Sequence, residues 1–131
     1  LDSLINNIDR TAKNTNLLNW NRELWLIDHG ASLYFHHNWK NWRDYLPRTF
    51  PNVKDHVLLA KANHLPEASL DIREAIDKAK IAEIISVIPE EWLTEEDMEL
   101  TPGEKRSAYQ EFLNAKLDKI DVLAKEALDA K

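Results

Sequence analysis

The chain contains no cysteine, only two glycines in 131 residues, and no long uninterrupted apolar run. The first absence excludes a disulfide framework and thiolate chemistry, and fits a reducing, cytoplasmic setting. The scarcity of glycine means that loops are few and tight and that helix dominates. It also leaves these residues without a glycine-rich phosphate loop. Lacking an apolar stretch of membrane-spanning length, the chain reads as soluble, with no membrane partner. The first residues do not show the basic-then-apolar pattern of a secretory signal.

What is there is divided unevenly. Residues 1–64 carry eight Lys/Arg against six Asp/Glu, whereas residues 65–131 carry nine against seventeen, which accounts for the net charge of −6. All five histidines and four of the five tryptophans fall in the first half. An aromatic, mildly basic half suits an anionic ligand, and the acidic half reads as a solvated helical surface. No dense basic patch exists, so nucleic acid is not an expected partner.

"LDSLINNI" at 1–8 reads as closing helical turns with Leu1, Leu4, Ile5 and Ile8 on one face. A polar loop at 9–16 follows. "NLLNW" and "ELWLID" then form two short strands around an Asn21-Arg22 turn, the second strand reading as buried. Residues 31–52 are aromatic and proline-punctuated, mostly irregular with a short helical turn. Tyr34, Phe35 and the four tryptophans of this half are expected in the core. Val53, Val57, Ala60 and His64 mark one helix. Ser69 caps a longer one reaching Pro89. Thr101-Pro102-Gly103-Glu104 is a capping-box start for a long final helix with an apolar stripe from Tyr109 to Leu128. The fold expected is α+β and mostly α-helical, with a small β-hairpin packed on three main helices. Residues 1–131 form a single domain, with the loop, hairpin and metal-binding segment at 1–52 and the helical part at 53–131.

Chemistry concentrates at Asp9, Asn14 and Asp28. Phosphoryl transfer from ATP needs a carboxylate near the acceptor hydroxyl and oxygen ligands holding magnesium against the phosphates. Kinase-type folds supply these with an Asp, an Asn five residues later, and a second Asp ending a later strand. The three residues here have that order and spacing, and the intervening hairpin returns the second Asp toward the first loop. His36-His37 with His29 lack the spacing of a zinc site.

"NIDRTAKNTNLL" resembles the catalytic loop of HipA-like kinases, and "LWLIDHGASLYFHHNW" resembles the magnesium-binding strand end of that family. "FPNVKDHVLL" and "IPEEWL" resemble its C-terminal helical part. The resemblance spans most of the chain and is specific over residues 6–37. It implies the C-terminal lobe of a protein-kinase-like fold, with the N-terminal lobe absent, and a phosphotransferase using ATP and Mg2+. Asp9 would be the catalytic base, and Lys13 would contact the transferred phosphate. Asn14 and Asp28 would ligate the metal, and His29 would face the nucleotide. The acceptor, protein or small molecule, is unspecified. The N-terminal lobe would be the structural partner, and the chain alone would be inactive. Thr11 stands where related loops carry His. The alternative is a non-catalytic helical interaction module derived from such a fold, docking through its last helix.

Overall fold

The structure is a computed structural model and describes residues 1–94 and 99–131. Helix makes up 57% of it, in agreement with a mostly helical α+β chain. α1 (Asp2–Ile5) is a single turn, and β1 (Leu17–Trp20) and β2 (Glu23–Leu26) form an antiparallel hairpin. Short 3-10 turns fill the stretch from Tyr34 to Lys61. α2 (Leu65–Ala75), α3 (Lys78–Ser86), α4 (Pro102–Asp118) and α5 (Ile120–Asp129) complete the body.

The hairpin forms where the alternation places it. Leu17 pairs with Leu26 and Leu18 with Trp25. Asn21 and Arg22 both take positive φ, 51° and 67°, the backbone demanded by the tight turn that matches strand twist. The strands are not buried, however. Leu18, Trp20, Leu24 and Trp25 are all exposed, and only Leu17 and Leu26 are half-buried. Two strands cannot cover both of their own faces, and neither apolar cluster of the body includes a hairpin residue.

Three helical expectations change. Residues 53–64 do not make one helix, because His56 is extended (ψ 129°) and forms an isolated bridge with Thr11. The helix ending at Pro89 is two: Ile76 is extended, and Asp77 caps α3 by accepting the Lys80 N–H at 2.7 Å. Ser69 lies inside α2 and does not cap it; its hydroxyl donates to the Pro66 carbonyl at 2.7 Å and meets Asp121 at 3.2 Å. The final helix breaks at Lys119 into α4 and α5, so four main helices replace three. The capping box at Thr101 and Glu104 forms with both of its reciprocal bonds.

Two apolar clusters hold the body. One gathers α3, α4 and α5 around Leu4, Phe50, Val53 and Leu59. The other is aromatic: Phe35, Trp39 and Trp42 against Ala108 and Phe112 of α4. Tyr109 and Leu113 pack against both. Of the aromatics expected inside, Phe35, Trp39 and Trp42 are buried, while Tyr34, Trp20 and Trp25 are half or more exposed.

Candidate active site

The polar loop is built around a buried cation. Arg10, 1% exposed, donates from Nε to Asp2 Oδ2 at 2.6 Å. Its Nη1 donates to the carbonyls of Asn16 and Ile27, the latter at 3.1 Å. One guanidinium therefore ties the loop's exit to the end of β2. The Ile27 N–H also donates to the Asn16 carbonyl at 3.0 Å, extending the hairpin ladder by one rung. Asn14 stands two residues before that rung and Asp28 one residue after it, so both leave the same end of the hairpin.

Asp2 is itself fixed by His56, whose Nε2 lies 2.8 Å from the same carboxylate oxygen. The Leu58 N–H donates to His56 Nδ1 at 3.1 Å. That bond leaves Nε2 as the donor to Asp2, the neutral tautomer. Burial alone would raise the Asp2 pKa; the hydrogen bonds from His56 and Arg10, with the Arg10 charge, outweigh it and hold the carboxyl at about 2. The Val57 N–H donates to the Arg10 carbonyl at 3.1 Å, and Thr11 bridges His56. Thr11 takes part in this framework mainly through its backbone.

Within the loop, Asn14 Nδ2 donates to Asp9 Oδ2 at 2.6 Å, and the Thr11 N–H is shared by the carbonyls of Asp9 and Asn14 at 2.9 and 3.0 Å. The Asn7 side chain accepts the Asp9 N–H at 3.2 Å. Asp9 is half-buried; Asn14, Lys13, Asp28 and His29 are exposed. Asn14 spends its amide N–H on Asp9, which leaves its Oδ1 as the free hard donor. Asp28 has φ 51°, and its Oδ1 accepts the Gly30 N–H at 3.3 Å, which turns the chain away from the strand. His29 contributes its carbonyl to the Ser32 N–H at 2.9 Å. The spacing brings Asp9 and Asn14 into direct contact and returns Asp28 to the same hairpin end. Among the described residues the Lys13 side chain makes no ion pair or hydrogen bond.

Asp2 and His56 were not among the residues singled out from sequence, and Arg10 was read there only as a member of the polar stretch with Asp9, Lys13 and Asn14. A charged residue inside an otherwise apolar turn, Asp2 beside Leu1 and Leu4, is the signal that points to a buried partner. Nothing in the spacing identifies His56, 54 residues away.

Asn14 Oδ1 and Asp28 offer hard oxygens, the donor type magnesium takes when phosphates and water complete its shell. Among the described residues no group of three or more His, Cys, Asp or Glu is arranged to hold a metal, and no helix is long and apolar enough to cross a membrane. No family model, curated protein or solved structure matches the chain.

Proposed function

We propose that the chain is the C-terminal catalytic part of a HipA-like, ATP- and Mg2+-dependent kinase. The observation that carries this reading is the Arg10 clamp: one buried guanidinium binds both the end of the Asp9–Asn14 loop and the residue before Asp28. The clamp keeps the loop and the exposed Asp28 carboxylate at one end of the hairpin, which is what a site built from both requires. In the reaction, the acceptor hydroxyl oxygen bonds the γ-phosphorus, the bond to the leaving ADP oxygen breaks, and the hydroxyl proton passes to Asp9. Asn14 and Asp28 would hold Mg2+, which neutralises charge on the phosphates. Asn14 also orients Asp9 through the 2.6 Å bond. Lys13 would reach the transferred phosphate from the exposed side, and His29 would face the nucleotide.

With no glycine-rich loop among these residues, the 131-residue chain alone should give flat calorimetry with Mg-ATP. The deciding experiment uses the intact protein that carries it. Asp28→Asn should weaken Mg-ATP binding and turnover together, and Asp9→Asn should lower kcat while leaving nucleotide affinity nearly unchanged. Transfer of labelled γ-phosphate at wild-type rates by both variants would sink the reading.

A second reading, a non-catalytic interaction module, is favoured by the hairpin. Leu18, Trp20, Trp25 and Ile27 share one face by the period of two and are 43–62% exposed. A partner-binding role predicts that Trp25→Ser abolishes association and that the Asp28 variant has no effect.

A further inference from the structure

Asn16 ends the polar loop with its backbone in the left-handed region, at φ 47°. Its carbonyl is pinned there by two donors, the Arg10 guanidinium and the Ile27 N–H, the latter at 3.0 Å. Asparagine enters this region more readily than most residues because its short amide can bond the nearby backbone. That reason does not apply to Asn16. Among the described residues its side chain makes no bond to backbone, and its Nδ2 donates instead to Asp9 Oδ2 at 3.4 Å, seven positions back.

Asp9 Oδ2 already accepts the shorter bond from Asn14 Nδ2, at 2.6 Å. A carboxylate oxygen has about two acceptor sites, so this one is filled. Oδ1 differs. It has no hydrogen-bond partner among the described residues and is not enclosed by them, so it stays open to solvent. The Asp9 N–H is held separately, by Asn7 Oδ1 at 3.2 Å. Three asparagines therefore hold one aspartate, two of them through the same oxygen. A single donor would let the carboxylate swing about that bond. Two donors on one oxygen define the direction in which the other oxygen faces.

We propose that Asn16 is a positioning residue for Asp9. With Asn14 it holds Oδ2, so that Oδ1 is the oxygen presented to an incoming hydroxyl. The placement stands on these bonds; its use in phosphoryl transfer rests on the kinase reading. In that reaction the acceptor O–H bond breaks as the Oδ1–H bond forms. The freed electron pair bonds the γ-phosphorus while the ADP oxygen leaves. A general base must lie within hydrogen-bond reach of the proton it takes, so a carboxylate turned away loses rate and not substrate. Asn16 is given no contact with metal or phosphate, which separates its effect from that of Asn14.

The test is Asn16→Gly, because glycine keeps the left-handed backbone and removes only the amide. On the 131-residue chain without nucleotide, three-bond couplings to Asp9 Cγ should report one rotamer in the wild type and an average in the variant. Amide exchange at Ile27 should be the same in both, as expected if the hairpin rung survives. Asn16→Asp, of the same shape but with no donor, should show the same averaging. A single Asp9 rotamer in all three proteins, or averaging already in the wild type, would overturn the proposal. In the intact protein, Asn16→Gly should lower kcat about fivefold, the size of one ordinary hydrogen bond, with Mg-ATP affinity unchanged. An asparagine kept only for its backbone predicts no change in either. An unchanged kcat, in a protein that Asp9→Asn does slow, would therefore overturn the proposal as well. A wild type that transfers no phosphoryl group would overturn the kinase reading alone, since the couplings decide the placement without nucleotide.

Discussion

Asp2 carries more of the site than any residue in the loop it supports. Its carboxylate neutralises Arg10, and Arg10 in turn fixes the Asn16 and Ile27 carbonyls. Removing one partner of a buried ion pair costs about 3–5 kcal/mol, because the other charge is left uncompensated. Asp2→Asn should therefore lower the urea midpoint and shift the amide resonances of Asn16 and Ile27 as well. With a folded pKa of about 2 against an ordinary 3.8, the Asp2 carboxylate stabilises the fold above the unfolded value. That stabilisation, about 2 kcal/mol, is lost as the pH falls from 4 through 2. Denaturant unfolding at pH 4.5 and 2.5 should show this acid slope in the wild type and a shallower one in Asp2→Asn.

Lys116 gives a slope of the same sign in a different pH window and for the opposite reason, because its charged form is the one disfavoured. Burial first, then the neighbouring Lys119, lowers its pKa to about 8 from 10.5. Between those values the unfolded chain binds the extra proton, so this group makes stability rise with pH, by up to about 3 kcal/mol. A Lys116→Met variant should lose that alkaline gain in parallel melts from pH 8 to 10.

At the scale of elements, the turns and caps state their own tests. Arg22 sits at φ 67°, where a side chain costs roughly 1 kcal/mol that glycine avoids. Arg22→Gly should strengthen the hairpin, read as slower amide exchange at Leu18 and Trp25, a hydrogen-bonded pair of the ladder. The two helix caps differ in their bonding. Thr101 and Glu104 satisfy each other's backbone donors, whereas Asp77 acts alone. Loss of either cap should cost about 1 kcal/mol. Thr101→Ala should also let the Glu104 pKa rise part of the way back, because the Thr101 backbone bond, the larger of the two that hold it down, stays and the hydroxyl bond goes.

For the molecule as a whole, α4 joins the two cores, since Tyr109 and Leu113 contact both and Phe112, fully buried, faces the aromatic one. Tryptophan fluorescence, dominated by Trp39 and Trp42 on burial change, and far-ultraviolet dichroism should then report one coincident unfolding transition. Phe112→Ala should cost about 3–5 kcal/mol and lower both signals together. Separate transitions would mean that the aromatic core melts by itself.

Local chemistry was legible from the residues alone. The hairpin and its turn, the capping box at Thr101, and the short-range Asp9–Asn14 pair each depend on neighbours within a few positions, where spacing dictates contact. Helix ends were less legible. Ile76 and Lys119 interrupt periodic stripes without a glycine or proline to announce it, and periodicity records which face is buried but not where the axis turns. Least legible was burial of the strands and of Tyr34, because alternation marks an apolar face and cannot say whether anything covers it. The framework of the site lay furthest out of reach. His56 reaches Asp2 across 54 positions, and that contact exists only because packing of the segment around Val53 and Leu59 on α5 and α1 carries the imidazole there. A charge pair in a sequence is two letters; burial of Arg10 beside Asp2, with water removed from both, is what turns them into a clamp.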